Sequence, residues 1–332
     1  MKNLQPYLAK EKTIHIIREF FIKQKFHEVM VPLLNPALPL EPNLYSFATD
    51  WNYLDKTKKF YLPTSPESAL KKQLAKGFEQ VFALASTFRN QEDQDVEHNP
   101  EFLMLEWYRT NADYHRIMTD IEELVAFLYQ KMYPTQAQEK DLTLIYDGKT
   151  INLAPPWPRV SLARLFEQEV GEPLANYLTL IKLKQLASKK GFVTDNATWE
   201  ELFNQFFLEF LEKKLGTDPV FLINFPSKIS PLCAPLKDKP VYAQRFEFYL
   251  AGMELANGNT EQTDAQLVRQ KFEQEQLYRQ KNNLPSHEID QEFLSALATM
   301  NRTGYTFAGV GLGVERLAMI FANITNIQEF II

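Results

Sequence analysis

The residues best suited to chemistry lie between Phe88 and Arg109, in the stretch FRNQEDQDVEHNPEFLMLEWYR. Alternating apolar residues at its two ends read as strands, while the polar middle holds more Arg, Glu, Asp, His and Asn than a turn requires. Arg89 at the foot of the first strand, with His98, Asn99 and a glutamate on the return, could grip a polyphosphate and a polar small molecule. Taken alone, the loop also reads as a solvated hairpin tip. A second dense stretch, VYAQRFEFYLAGMELANGNTEQTDA from Val241, holds Glu247, Glu254, Asn257 and Glu261 among aromatic and aliphatic neighbours. Carboxylates at that density repel unless a cation offsets them, so the stretch reads as cation-binding or, if its acids face water, as a strand edge. A third, FAGVGLGVERLAMIFANI, joins a glycine-rich strand to a helix with Arg316 on its first turn. Its glycines admit a ligand close to the backbone, and the Arg suggests an anion. Glu67 falls in the first turn of an expected helix, either as a dipole-favoured carboxylate or as a ligand for an ammonium group.

These groups need strands and helices to hold them. Residues 11–26 place Ile14, Ile17, Phe20 and Phe21 on one helical face, and the following HEVMVP reads as a short strand stopped by Pro32. Pro32, Pro36, Pro39 and Pro42 then impose an extended, irregular segment, followed by a strand pair around Trp51 to Leu62. The run 64–77 is a helix that ends at Gly77. In the return strand EFLMLEWYR, alternation puts Phe102, Met104, Glu106 and Tyr108 on one face and Leu103, Leu105 and Trp107 on the other. An amphipathic helix over Tyr114 to Tyr133 precedes a hairpin turning at Asp147-Gly148. Residues 161–218 read as a mostly helical insertion, 220–226 as a buried strand, and 262–282 and 289–299 as helices. Alternation sets Glu247 and Phe248 on opposite faces of their strand.

A chain of 332 residues, 45% hydrophobic and 23% charged, has the composition of a globular protein with a sizeable core. The N-terminus lacks the apolar run of a signal peptide, and no window reaches the roughly 18 to 20 apolar residues of a membrane span, so the expectation is a cytoplasmic protein. Cys233 is the single cysteine, which excludes an internal disulfide and a multi-cysteine zinc site within one chain. A net charge of -6 argues against broad nucleic-acid binding and suits a site that selects cations.

The strand ending in Pro32, the FRN…HNPEF…EWY hairpin and the GVGLGVER strand-helix follow one another as do the three motifs of class II aminoacyl-tRNA synthetases, which the chain resembles from about residue 10 onward. HNPEFLMLEWY together with ELANGNTEQTDA is similar to the lysyl subgroup, and the short lead before the first motif is similar to the elongation factor P lysine ligases. The resemblance implies an α+β fold, an antiparallel sheet flanked by helices. It also implies one catalytic domain over 1–332 with the 161–218 insertion, no anticodon-binding OB domain, and a homodimer joined through the first motif, whose apolar face over residues 14–26 suits an interface. It implies Arg89 on the ATP α-phosphate and the amino-acid carboxylate, His98 and Arg316 on the outer phosphates, and Asn99 beside them. Phe102 would stack on adenine, with Gln91 or Glu92 at its amino group, and Glu247 and Glu254 would carry Mg2+. Glu67, Glu106, Tyr108, Asn257 and Glu261 would surround the amino acid, with Gly311 at its pocket wall.

Four departures accompany these matches. Gln91 stands where the family carries Glu, in a loop that reads one residue longer; Glu97 replaces an Arg before His98; and Asn259 replaces a Phe beside the substrate. Gly311 is the residue of lysyl synthetases where the elongation factor P ligases commonly carry Ala, which leaves α-lysine against β-lysine open. The resulting expectation is an ATP-dependent enzyme that activates lysine or β-lysine and transfers it to a lysine of elongation factor P, with tRNA not expected as a partner. A truncated synthetase paralogue charging tRNA or a small molecule, and a non-catalytic lysine or nucleotide binder, are the other two readings.

Overall fold

The computed structural model of the protein describes residues 4–138 and 142–331, so the two ends of the single domain expected over 1–332 lie outside the described residues. In chain order it begins with α1 (Gln5–Lys23), β1 (His27–Glu28), a hairpin of β2 (Ala48–Tyr53) and β3 (Lys56–Tyr61), α2 (Glu67–Leu74), β4 (Gln80–Phe88) and β5 (Glu101–Thr110). There follow α3 (Tyr114–Met132), α4 (Pro134–Gln138), a hairpin of β6 (Thr143–Tyr146) and β7 (Lys149–Asn152), β8 (Arg159–Ser161), α5 (Leu162–Val170), α6 (Leu180–Lys189), α7 (Trp199–Phe206) and β9 (Val220–Ile223). The last elements are β10 (Arg245–Leu250), β11 (Met253–Thr260), α8 (Ala265–Lys281), α9 (Gln291–Arg302), β12 (Phe307–Gly313) and α10 (Val314–Ala322).

Eight strands form one sheet in the order β1-β4-β5-β12-β11-β10-β9-β8. The six central strands are antiparallel, as expected, but β1 pairs with β4 and β8 with β9 in parallel, so the sheet is mixed at both edges. The strand expected over HEVMVP shrinks to two residues, and the edge strand β8 was not foreseen because three residues are too few to show a period.

Alternation in β5 is what divides core from site. Leu105 and Trp107 are fully buried in a core shared with Phe20 and Phe21 of α1, Ile117 and Ile121 of α3 and Leu317 of α10. Met104, Glu106 and Tyr108 point to the opposite face, where a cavity opens. The glycines of β12 make room for them: Gly309 pairs with Tyr108, Gly311 with Glu106 and Gly313 with Met104. A Cβ at Gly309 would sit 2.1 Å from the Tyr108 ring, so only glycine lets that ring lie on the strand. Helices α2, α8 and α9 close this face with Leu70, Val268, Phe272 and Phe293.

The insertion expected over 161–218 is helical and has its own core of Phe166, Leu183, Trp199, Leu202 and Phe206, which continues onto Leu222 and Tyr249 of the sheet. Thr198 and Glu201 cap α7 reciprocally. Helix α1 begins earlier than expected. It also spends Ile16, Ile17, Phe20 and Phe21 on its own chain's core, so the face assigned to a dimer partner is already covered. Asp147 and Gly148 turn the β6–β7 hairpin with φ of 48° and 70°, as foreseen. Among the described residues no helix is long and apolar enough to cross a membrane.

Candidate active site

Two cavities, of about 550 and 210 Å³, meet on the open face of the sheet, and Arg89, Met104, Glu254, Asn257 and Gly311 line both. Strands β4 and β5 form the hairpin that supplies Arg89 and Phe102, while β11, β12 and α10 supply Glu254, Gly311 and Arg316. The three chemically dense stretches therefore converge although the chain between them is long.

The smaller cavity is suited to an anion and an aromatic ring. Arg89 Nε is buried and has no hydrogen-bond partner, and its guanidinium carbon lies 5.3 Å from the centre of the Phe102 ring. A buried donor without an acceptor costs free energy unless a ligand satisfies it, so this orphaned group fits a phosphate or carboxylate oxygen. Arg316 spans the cavity floor, with Nε donating to the carbonyl of Glu97 (3.1 Å) and Nη1 to that of Glu254 (2.6 Å). His98 Nδ1 faces the Asp95 carboxylate at 2.9 Å, which leaves Nε2 to a ligand, and Asn99 Nδ2 donates to the Glu101 carbonyl. Backbone donation from Glu97 and the partner His98 hold the Asp95 carboxyl below its ordinary range.

At the altered loop tip, Glu92 lines the cavity. Gln91 is exposed, in the left-handed region with φ of 62°, with its N–H turned back to Asn90 Oδ1, and it does not join the lining. The tip is braced by the C-terminal segment, where the Ile327 N–H donates to Val96 and Gln328 Nε2 to the carbonyls of Asp95 and His98. That brace was missed in sequence because Gln328 shows no local signal.

The larger cavity is acidic. Glu41, Glu67, Glu106, Glu247 and Glu254 line it, with Tyr108 and Asn257. Glu106 accepts from the Tyr108 hydroxyl at 2.6 Å, and burial, then the charge of Glu67, push its carboxyl up to about 8. Glu261, expected to hold a substrate ammonium, does not line the cavity. It is buried behind Asn259, whose Nδ2 donates to it at 3.0 Å, and it pairs with Lys71. Lys71, fully buried, bridges Glu67 and Glu261 and lies against the rings of Tyr108 and Phe293. Burial disfavours its charge, but Glu261 and Glu67 outweigh that and hold its ammonium charged well above the ordinary range. Lys71 was missed because one more lysine in an amphipathic helix reads as surface. Glu41 was missed because a carboxylate in a proline-rich segment has no periodicity to reveal it.

Of the pair expected to carry a metal, Glu254 lines both cavities and Glu247 the larger one. Glu247 Oε1 accepts from Arg245 at 2.7 Å and Oε2 from the Tyr249 hydroxyl at 2.9 Å; burial, then Glu254, raise its carboxyl to about 8. Among the described residues no group of three or more His, Cys, Asp and Glu is arranged around a metal position. Mg2+ commonly takes one or two carboxylates and completes its shell with water and substrate phosphates. An oxygen-only pair, one of whose members also lines the cavity suited to an anion, fits that mode of binding.

Comparison with known proteins agrees with this geometry. A family model described as tRNA synthetases class II (D, K and N) matches residues 2–332. A lysine–tRNA ligase of Chloroflexus aurantiacus is 32% identical over 98% of this chain, which spans 64% of that relative's length. Elongation factor P–(R)-beta-lysine ligases of Histophilus somni and Haemophilus influenzae are each 34% identical over 99% of this chain and 94% of their own. With that match running through every strand that supplies the site, the chain belongs to the class II tRNA synthetase family.

Proposed function

We propose that the protein is an ATP-dependent, AMP-forming ligase that activates lysine or β-lysine and transfers it to an amine, a lysine side chain of elongation factor P. The observation that carries the reading is a pair of adjoining cavities with opposite demands. One holds the unsatisfied Arg89 donor beside Phe102, and the other an excess of carboxylates around Glu106. An anionic nucleotide and a diammonium amino acid meet those demands together.

In this reading Arg89, shared by both cavities, draws the amino-acid carboxylate to the α-phosphorus. The carboxylate oxygen bonds to phosphorus and pyrophosphate leaves; the acceptor amine then attacks the carbonyl carbon, the carbonyl–oxygen bond to AMP breaks, and the amine loses its proton. Phe102 and Glu92 place the base, and His98 and Arg316 offset charge on the outer phosphates. Glu247 and Glu254 would hold Mg2+, which supplies charge neutralisation at the polyphosphate. Holding the reactants in line supplies much of the acceleration. A cytoplasmic homodimer is part of the proposal. Its interface would use Leu4, just before α1, and Tyr7, Leu8 and Ile22, exposed on it, with Met30, Leu33 and Leu34 after it.

The test is lysine-dependent exchange of pyrophosphate into ATP with both isomers, followed by transfer to elongation factor P and to tRNA. Exchange with either isomer, lost in Arg89→Ala, and label on elongation factor P are expected. Label on tRNA alone would favour the reading suggested by the lysine–tRNA ligases, and no exchange at all would leave a binding protein.

A further inference from the structure

Four carboxylates, Glu41, Glu67, Glu106 and Glu261, gather around the amino-acid end of the site, and their present partners differ. Lys71 already bridges Glu67 and Glu261, and Glu261 is shut away from the cavity. Glu106 is occupied on one oxygen by the Tyr108 hydroxyl. The Glu41 carboxylate lines the cavity and has no hydrogen-bond or ion-pair partner among the described residues.

The segment that carries Glu41 is firmly held. Its own carbonyl accepts from Arg279, a buried arginine that also reaches the Leu44 carbonyl at 3.0 Å, and Leu40 beside it is buried. The backbone is therefore anchored while the side chain is left open to the cavity. A carboxylate kept half-buried on a fixed backbone without a partner costs free energy, and a cationic ligand recovers it.

We propose that Glu41 is the carboxylate that receives one of the two ammonium groups of the amino-acid substrate, with Glu106 receiving or sharing the other. The assignment rests on the reading of the substrate as lysine or β-lysine. It adds to the contacts that the family resemblance implies a residue that no motif contains. Lys71 then acts as an internal cation that offsets one of the two charges of Glu67 and Glu261 and engages one oxygen of each, so that the cavity-lining carboxylates without a cationic partner are Glu41 and Glu106. The groups facing Glu41 are Glu67 and Lys71 of α2, Arg89 at the end of β4, Glu106 of β5 and Arg245 of β10. Burial, then Glu67, raise its carboxyl to about 7, so a cation bound there favours loss of its proton near neutral pH.

The test is calorimetric titration of wild type, Glu41→Gln and Glu41→Asp with four probes: ATP, lysine, 6-aminohexanoic acid without the α-amine, and 2-aminohexanoic acid without the ε-amine. Expected for Glu41→Gln is lysine binding weakened about tenfold or more, the loss of one charge-assisted contact, with ATP binding unchanged. Expected also is that one of the two monoamines binds wild type and Glu41→Gln equally, because the ammonium that Glu41 meets is missing from it. Glu41→Asp recovers part of the loss, and proton release, measured in buffers of different ionisation enthalpy, falls in Glu41→Gln. Lysine binding indifferent to Glu41→Gln, equal losses for lysine and both monoamines, or joint loss of ATP and lysine binding would each overturn the assignment. If wild type binds neither lysine nor β-lysine, titrated as a fifth probe, the proposed substrate is wrong and the assignment falls with it.

Discussion

Replacing Lys71 by Met removes the cation that holds two buried carboxylates together while nearly keeping its volume. Lys71 is fully buried, pairs with Glu67 and Glu261, and packs 5.5 and 5.6 Å from the ring centres of Tyr108 and Phe293. Breaking a buried pair from one side costs about 3–5 kcal/mol, chiefly because the remaining charge is stranded. At about 2.1 cal/mol/K of unfolding entropy per residue, a chain of this size loses about 1 °C per 0.7 kcal/mol, so Lys71→Met should melt about 4–7 °C lower at pH 7.5. The pH dependence has a definite sign. The folded-state value of Lys71 is raised, so its contribution is fully present at pH 7.5 and below and is lost only in strong alkali. In the variant, Glu261, raised to about 7 by burial although Lys71 pulls it down, loses that cation and takes up a proton more readily than in the unfolded chain. The deficit should therefore shrink as pH falls from 8 to 5, and the double variant Lys71→Met with Glu261→Gln should recover part of it at pH 7.5. Thermal unfolding by circular dichroism across that range is the assay. A variant as stable as wild type at pH 7.5, or a deficit that grows on acidification, would refute the reasoning.

Three further outcomes follow from the same geometry. Glu247→Gln, which keeps the shape but halves the anionic pair, should raise the Mg2+ concentration needed for half-maximal pyrophosphate exchange by about tenfold, and an unchanged requirement would remove Glu247 from the metal role. In Gly311→Ala the new methyl would lie 3.1 Å from Met104 Sδ, the movable part of a flexible side chain, and 3.6 Å from Glu106 Oε2. The fold should tolerate it, and the ratio of kcat/KM for α-lysine to β-lysine should shift several-fold, where an unshifted ratio would place the isomer discrimination elsewhere. Gln328→Ala frees the carbonyls of Asp95 and His98 from the C-terminal brace and should raise KM for ATP with KM for lysine unchanged; equal effects on both would show a general loss of structure.

Much of this protein was open to reading from its order of residues alone. Alternation in EFLMLEWYR sorted Glu106 and Tyr108 from Leu105 and Trp107 because a pleated strand has a strict period of two, and the sheet obeys it. The convergence of Arg89, His98, Phe102 and Arg316 followed from motifs whose spacing is set locally, by a hairpin and by a strand-helix junction. What the tertiary structure decided is how the charges are shared. Lys71 and Glu261 belong to elements remote in the chain, and only folding encloses them together, so the residue expected to meet the substrate stands in an internal ion pair. Glu41, in the irregular segment before β2, became a cavity wall because Arg279 of α8 anchors its backbone. The apolar face of α1 was legible as a face, but whether it meets the sheet or a second chain is settled by packing, and it meets the sheet. Periodicity belongs to one element and survives in sequence; the neutralisation of buried charge is a sum over all neighbours and exists only once they are assembled.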